Sequence, residues 1–468
     1  MSSIPSKENM PRARFEFMLK TQKEFFFDAY EFEEIAQYYL DNGKKSLAKK
    51  AIKLGLKQHR DSTSLKLLKA ELLVLENKLK RASAMLLQLN AIEPNNEEVY
   101  IQQASIFSKQ LQHQKAIKYL KYALSFEDEK EADDILSLIG MEYLYLNDYS
   151  NAISYFKKCI EIYPKDKATL NNIVYCYDAE KEYEKAISYL EYYIDTKNPY
   201  SHSVWLQLGR KYSVIGSYEK ALRAFDYAVL INENSIVSYL EKARTLERLK
   251  RYKEAIDNYK VSFRKGKPTS FSLLRVGRCY EKLSMNLSAL QYYKRAVQDD
   301  PLLDKAWIAI AEIHLKNGNN AKVALAAIKK ALEVDQLNPY YWKQYATANL
   351  NSNMYEEAVL GFSKCLDLKE HKLDVYLGLF DVLFILGDYK DALSTLQDAR
   401  TNFPDSAEIE YRLSGIHFML NEKKIGKEIL EHALTLDFEK KYILSLLFPK
   451  VYNSSRIQKL INELKKGF

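Results

Sequence analysis

Residues that interrupt regular structure are scarce in this sequence. The 468 residues include only 14 glycines and 10 prolines, and no glycine- or serine-rich stretch divides the chain. Linkers between domains are usually rich in such residues, so their absence argues against a string of separate domains. The sequence therefore predicts one continuous architecture built from regular elements.

Cysteine is also rare, and its spacing excludes two kinds of site. The four cysteines, Cys159, Cys176, Cys279 and Cys365, lie far apart, and no Cys-x-x-Cys pair occurs. Structural zinc sites and dithiol redox sites both need closely spaced thiols. We therefore expect no metal site, and the cysteine content fits a reducing compartment.

Long apolar runs are missing as well. Glu16, Lys20 and Lys23 interrupt the apolar residues near the N-terminus, whereas a secretory signal needs an unbroken apolar core. The longest apolar run, residues 375–387, contains Asp381. It is shorter than the roughly 20 apolar residues that a membrane span requires. We expect a soluble, cytoplasmic protein.

Motifs for cofactor chemistry are absent from the sequence. No Gly-x-Gly-x-x-Gly or Gly-x-x-x-x-Gly-Lys-Ser/Thr motif occurs, and Pro268 takes the place of a needed amide in the nearest candidate, residues 266–269. The seven histidines show no His-Glu-x-x-His spacing. We therefore expect no catalytic residues, no cofactor, no metal and no small-molecule substrate, so the chain is not expected to be an enzyme.

What the sequence does contain is a repeat. A small residue recurs inside the local pattern Ala-[Ile/Leu]-x-x-[Phe/Tyr/Leu], with gaps of 34 to 36 residues. Its occurrences are Ala48, Ala82, Ala116, Ala152, Ala186, Ala221, Ala255, Ala289, Ala324, Ala358, Ala392 and Gly426. A constant period of this length indicates stacked supersecondary units.

Each unit has the pattern of a helical hairpin. Another small or modest residue precedes most of these alanines by about twelve positions, as Gly209 precedes Ala221. Small side chains at both positions let two helices approach closely. Between the helices, eight units carry Gly or Asn, which favours a left-handed residue at the end of the first helix; these are Gly43, Asn77, Asn147, Gly216, Gly318, Asn353, Gly387 and Asn421.

The pattern is similar to a known family. Trp205-x-x-Leu208-Gly209-x-x-Tyr212, followed by Ala221, Phe225 and Ala228, resembles the tetratricopeptide repeat (TPR) signature. This resemblance implies an all-α, right-handed superhelical solenoid of about twelve hairpins over residues 29–439. Residues 27–35 and 447–449 also resemble long cytoplasmic TPR scaffolds of Bacteroidota.

Both ends of such an array need a polar cap, because a terminal repeat lacks a neighbour on one side. We expect residues 1–28 to form an N-terminal extension or capping helix through Phe15, Met18, Leu19, Phe25 and Phe26. An alternative is that the aromatic run at residues 25–27 docks a partner. Residues 440–468, with apolar residues at helical spacing, are expected to form the C-terminal caps.

In this family the first helix of each hairpin lines the concave face, through repeat positions 2, 5, 9, 12 and 13. If Gly209 is position 8, the expected groove residues are Arg210, Arg244, Arg278, Arg248, Lys282, Leu206, Leu240 and Leu274. Such a surface suits an acidic, partly apolar segment of a partner protein. The alternative is that the arginines pair with Glu247 and Glu281 and only keep the groove hydrated. Some TPR domains clamp the C-termini of chaperones through a set of Lys, Asn and Arg residues. This sequence matches that set only at Asn172, which argues against binding of chaperone C-termini.

A second charged surface is local. Residues 42–81 contain twelve Lys or Arg and three Asp or Glu, an excess of nine in a chain of net charge +8. Seven of the basic residues crowd the second helix of the first hairpin: Lys44, Lys45, Lys49, Lys50, Lys53, Lys57 and Arg60. This basic patch could meet a ribosome, RNA or an anionic membrane surface, or it could be a solvated face.

These observations predict a protein-binding scaffold or adaptor whose partner is unidentified. The alternative function is docking to a ribosome, to RNA or to a membrane surface through the basic patch.

Overall fold

The computed structural model describes residues 10–128, 132–316 and 320–465. The chain forms two compact units, Met1–Ile231 and Asn232–Phe468. Within the described residues every regular element is helical, and all but one short 3-10 turn are α-helices. This confirms the predicted all-α class.

The first unit contains an N-terminal helix and six hairpins. Its helices are α1 (Met10–Thr21), α2 (Ala29–Asp41), α3 (Lys45–Gln58), α4 (Thr63–Leu75), α5 (Leu79–Ile92), α6 (Glu97–Lys109), α7 (His113–Leu124), α8 (Asp133–Tyr145), α9 (Tyr149–Ile162), α10 (Lys167–Ala179), α11 (Tyr183–Thr196), α12 (His202–Val214) and α13 (Tyr218–Ile231).

The second unit contains six more hairpins and a C-terminal group of helices. Its helices are α14 (Ile236–Arg248), α15 (Tyr252–Lys265), α16 (Ser270–Lys282), α17 (Asn286–Asp299), α18 (Asp304–Lys316), α19 (Ala321–Val334), α20 (Pro339–Leu350), α21 (Tyr355–Asp367), α22 (Leu373–Leu386), α23 (Tyr389–Asn402), α24 (Ala407–Met419), α25 (Lys423–Leu436), α26 (Tyr442–Leu447), α27 (Pro449–Tyr452) and α28 (Ser455–Lys465).

The recurring alanines lie where the repeat pattern predicts. Each one is in the second helix of its hairpin, and all eleven have no exposed surface. At these points a larger side chain would push the paired helices apart. The predicted hairpins are therefore confirmed in both units.

The turn between the two helices is also as predicted. Seven of the eight Gly or Asn residues have φ between 56° and 85°, while Gly318 lies outside the described residues. Four hairpins take the same left-handed conformation with other residues, Leu111, Lys181, Lys250 and Ser284. The hairpin geometry therefore requires this conformation even where the residue type does not favour it.

Where the two helices cross, small and large side chains compensate each other. A Cβ added to Gly140 or Gly209 would lie 2.5 Å from a ring carbon of Phe156 or Phe225, which fills the space instead. Four hairpins with alanine at this position carry a branched aliphatic residue opposite it, in the pairs Ala36 and Ile52, Ala70 and Leu86, Ala104 and Leu120, and Ala311 and Ile328. Two further hairpins keep an aromatic residue opposite the alanine, in the pairs Ala243 and Tyr259, and Ala346 and Phe362. The exchange of bulk between the two helices is therefore limited to some of the hairpins.

The aromatic residues near the N-terminus divide into two groups. Phe15 and Phe27 have no exposed surface, and the Phe15 ring lies 6.3 Å from that of Phe32 in the first hairpin. Phe17 and Phe26 are 56% and 65% exposed. At the other end α28 buries Ile457, Leu460 and Ile461.

Candidate partner-binding surface

Four cations among the expected groove residues lie on the first helices of two successive hairpins in the second unit. Arg244 and Arg248 belong to α14, and Arg278 and Lys282 belong to α16. Arg244 is half-buried, with Nη1 3.5 Å from Glu241 Oε2, and the other three are exposed. We call these four residues the basic face.

The carboxylate of Glu247 is held by a tyrosine and by another arginine. The Tyr259 hydroxyl donates a hydrogen bond of 2.5 Å to Glu247 Oε1. Arg275 donates from Nε at 2.9 Å and from Nη2 at 3.0 Å to the two oxygens of the same carboxylate. Burial, followed by the nearby Glu247 charge, raises the pKa of Tyr259, so its hydroxyl keeps its proton and remains a donor.

The carboxylate of Glu281 is held in a similar way one hairpin later. The Tyr293 hydroxyl donates to it at 2.9 Å, and Lys316 Nζ lies 3.3 Å away. The rings of Tyr259 and Tyr293 fill the core with no exposed surface. Their hydroxyls thus fix carboxylates at the edge of the core.

These contacts leave part of the basic face without a counter-charge. Among residues 10–128, 132–316 and 320–465, no carboxylate oxygen lies within 4.0 Å of Arg248, Arg278 or Lys282. Among the described residues, Glu247 and Glu281 therefore form no ion pair with these three cations. Unneutralised guanidinium groups can bind carboxylates through paired hydrogen bonds.

The apolar part of the predicted groove needs a correction. Leu274 has no exposed surface and belongs to the core, so a partner cannot contact it, whereas Leu240 is half-buried. The exposed apolar residues of these helices are Val237 and Phe271, at 44% and 43%. Both occupy repeat position 2, and the position pattern alone could have identified them.

Two predicted groove residues belong to the first unit. Arg210 is exposed on α12, and Leu206 is half-buried against the core of that unit. A row of arginines continuing from Arg210 into the second unit stays a prediction.

All seven residues of the basic patch are exposed on or beside α3. Lys49 Nζ lies 2.8 Å from Glu76 Oε1, and Lys57 Nζ lies 2.5 Å from Glu24 Oε1. Lys45 donates to the carbonyl oxygen of Leu75 at 3.2 Å. Within the described part of the chain, the other four, Lys44, Lys50, Lys53 and Arg60, have no carboxylate within 4.0 Å.

The four cysteines and two histidines of first helices, His314 and His417, lie among packed side chains. All four thiols are buried and free, and burial raises the pKa of Cys176 to about 11 and that of Cys365 to about 12. Such thiols carry almost no thiolate at neutral pH. His417 is 8% exposed, with Nδ1 2.5 Å from Glu422 Oε2, and His314 is half-buried.

Two kinds of feature are absent from the described residues. They contain no group of three or more His, Cys, Asp or Glu side chains arranged to hold a metal ion. None of their helices combines the length and the apolar character needed to cross a membrane.

Comparison with known families agrees with the hairpin geometry. The sequence profile of the tetratricopeptide repeat family matches residues 134–166, which span most of α8, all of α9 and the turn that follows. Residues 134–166 thus match one tetratricopeptide repeat. Tetratricopeptide repeats generally mediate protein–protein interactions and scaffolding.

Two curated relatives match this chain at low identity. The chain is 20% identical over 320 residues to anaphase-promoting complex subunit 3 of Schizosaccharomyces pombe, covering 68% of this chain and 42% of that protein. It is 23% identical over 329 residues to the TPR repeat-containing protein MJ1428 of Methanocaldococcus jannaschii, covering 67% and 54% respectively. The TPR chain thus spans about half the length of these relatives.

A solved structure with a similar fold is the Cut9–Hcn1 hetero-tetramer of the anaphase-promoting complex. That match has a TM-score of 0.36 and 14% identity, and it covers 87% of this chain and 96% of that chain. The similarity concerns the helical-repeat fold alone.

Proposed function

We propose that this TPR protein is a cytoplasmic, non-enzymatic adaptor that binds an acidic, partly apolar segment of a partner protein on the basic face. The observation that carries the proposal is the absence of a carboxylate within 4.0 Å of Arg248, Arg278 and Lys282 among the described residues. Val237 and Phe271 supply exposed apolar contact area on the same two helices. Arg210 is the corresponding residue of the preceding hairpin.

The expected strength of this interaction is modest for each charge. An exposed ion pair contributes about 0.2–1 kcal/mol, so three pairs together with apolar burial support reversible binding. Reversing three charges replaces attraction by repulsion. We expect this to weaken binding by at least about tenfold, which corresponds to about 1.4 kcal/mol.

The test uses a labelled peptide that alternates Asp or Glu with Leu, and a counterpart with Asn and Gln in place of the acids. Fluorescence anisotropy should show salt-sensitive binding of the acidic peptide only. The variant R248E/R278E/K282E should lose that binding. The matched control K253E/K294E/K322E changes three exposed lysines on second helices of the same unit and should keep it. Unchanged binding by the first variant would refute the proposal.

A second candidate function uses the basic patch. Lys44, Lys50, Lys53 and Arg60 are exposed without a nearby carboxylate in the described residues, which favours contact with a ribosome, RNA or an anionic membrane surface. Co-sedimentation with ribosomes or with anionic liposomes should weaken steeply as salt rises, and K50E/K53E/R60E should abolish it. A salt-insensitive profile would count against this function.

A further inference from the structure

A pocket of about 690 Å³ lies near the C-terminal end of the second unit, away from the residues of the basic face. Its walls come from α24 and α25 of the last hairpin and from α27 and α28. The volume is within the range of sites that hold small ligands, roughly 300–1,000 Å³.

The pocket lining contains four apolar side chains that are buried or half-buried, and we call them the apolar interior. They are Phe418, Val451, Ile457 and Leu460, of which the last two are 5% and 8% exposed. The Phe418 ring lies over Gly426, where an added Cβ would be 3.1 Å from two ring carbons. Gly426 is the one non-alanine in the recurring series, so this departure from the repeat makes room for the ring.

The rim of the pocket is cationic. Lys423 and Lys427 on α25 and Arg456 and Lys459 on α28 line it, against a single described carboxylate, that of Glu463. Lys427 Nζ lies 3.4 Å from Glu431 Oε1 within α25. The other three cations have no carboxylate oxygen within 4.0 Å in the described range 320–465. All four cations are exposed.

The lining offers many hydrogen-bond donors and few acceptors. Apart from Glu463, the side-chain acceptors in the described lining are the hydroxyls of Ser454 and Ser455. The carbonyl oxygen of Tyr452 nearby already accepts from Gln458 at 2.8 Å. A bound peptide would therefore leave N–H groups unpaired, whereas an alkyl chain has none and an anionic head group only accepts.

We propose that this pocket binds a single-chain amphiphile, with its alkyl chain on the apolar interior and a carboxylate or phosphate head at the cationic rim. The site goes beyond the adaptor function and uses none of its residues. If the amphiphile fails to bind, the proposal for the basic face is unaffected. If the acidic peptide fails to bind, the proposal for this pocket is unaffected.

The probes are dodecanoate and dodecyl phosphate below their aggregation limits, with dodecanol and dodecyltrimethylammonium as controls for the head group. Isothermal titration of the full chain should show saturable one-to-one binding of the two anions and little binding of the two controls. Decanoate should bind more weakly, by up to about fourfold for each buried CH₂ group that it lacks. A comparison of the affinities for dodecanoate and dodecyl phosphate shows whether the site prefers a carboxylate or a phosphate head group.

Two charge variants complete the test. R456E/K459E should weaken dodecanoate binding by at least about tenfold, because it reverses half of the rim. K424E/K450E changes exposed lysines of α25 and α27 outside the pocket and should leave the affinity within about twofold. Circular dichroism confirms that both remain folded.

Three results would overturn the proposal. Dodecanol could bind as tightly as dodecanoate, or R456E/K459E could bind like the unmodified chain. The acidic peptide used for the basic face could instead displace dodecanoate, which would identify a peptide site. The comparison of head groups needs no variant, so it decides the matter even if one variant is unstable.

Discussion

The close contact between Gly209 and the Phe225 ring, where the two helices of this hairpin cross, predicts a strong coupling between these two residues. A Cβ on Gly209 would lie 2.5 Å from Phe225 Cε1 and 2.7 Å from Cδ1, whereas ordinary contacts begin near 3.4 Å. The ring would have to move by roughly 1 Å, and overpacking of this kind costs about 1–3 kcal/mol. Gly to Ala within a helix recovers about 1 kcal/mol. We therefore expect G209A to lower the free energy of unfolding by up to about 2 kcal/mol.

The reciprocal change should relieve the overlap. F225L alone replaces a ring that is 1% exposed and should cost about 1 kcal/mol through lost packing. The double variant G209A/F225L recreates the Ala104 and Leu120 arrangement that this chain already uses. Its stability should be close to that of the unmodified protein, with a favourable coupling of about 1–3 kcal/mol.

The assay should report on this hairpin and not on the whole chain, because long repeat arrays do not always unfold in one step. Hydrogen exchange of peptides from α12 and α13, read by mass spectrometry, gives the local free energy of opening. Urea unfolding of all four proteins provides the global comparison. Strictly additive effects of the two changes, or a G209A variant more stable than the parent, would refute the packing argument.

Three further predictions concern charge and backbone. Burial chiefly raises the pKa values of Glu71 and Glu98, so the folded state binds protons more tightly than the unfolded chain. This contribution to the free energy of unfolding is fully present below the unfolded pKa, near 4.3. It is lost as pH rises through the folded pKa values. E71Q/E98Q should flatten this dependence, seen as a smaller gain in urea midpoint between pH 7 and pH 5, and an unchanged slope would contradict the assignment. Tyr259→Phe removes a hydroxyl bonded to a carboxylate and should cost about 1.5–3 kcal/mol in urea unfolding, while Y442F, at a tyrosine that is 57% exposed, should cost almost nothing. Leu111→Gly should raise the thermal midpoint, because Leu111 has a left-handed backbone with φ of 59° that glycine adopts without strain. The free energy of unfolding should rise by about 0.5–1 kcal/mol after the entropy of glycine is subtracted. A lower midpoint would show that the turn is not strained.

The hairpin architecture could be predicted from residue spacing because each signal is local to one repeat. Ala221 and Gly209 contact helices of the same hairpin, so a period near 34 residues reports their packing directly. The left-handed turns were predictable where Gly or Asn occurs. The turn at Leu111 was not, because its conformation follows from the two helices it joins and not from its own preference.

The basic face was only partly predictable. The positions of Arg244, Arg248, Arg278 and Lys282 follow from the repeat register. Which carboxylates neutralise them does not, because Glu247 bonds to Arg275, a residue 28 positions away in the next hairpin. The sequence neighbour Arg248 was therefore a poor guide to the ion-pair partner of Glu247, although Arg244 does pair with nearby Glu241.

The sequence by itself determined that this chain is made of stacked helical hairpins that resemble TPR units, since close helix packing demands small residues at fixed intervals. Only the tertiary structure decided that Leu274 is buried and that a cationic pocket forms beside α28. Those properties depend on contacts between one hairpin and the next, or with the helices that follow the last one. No periodicity within a single repeat records them.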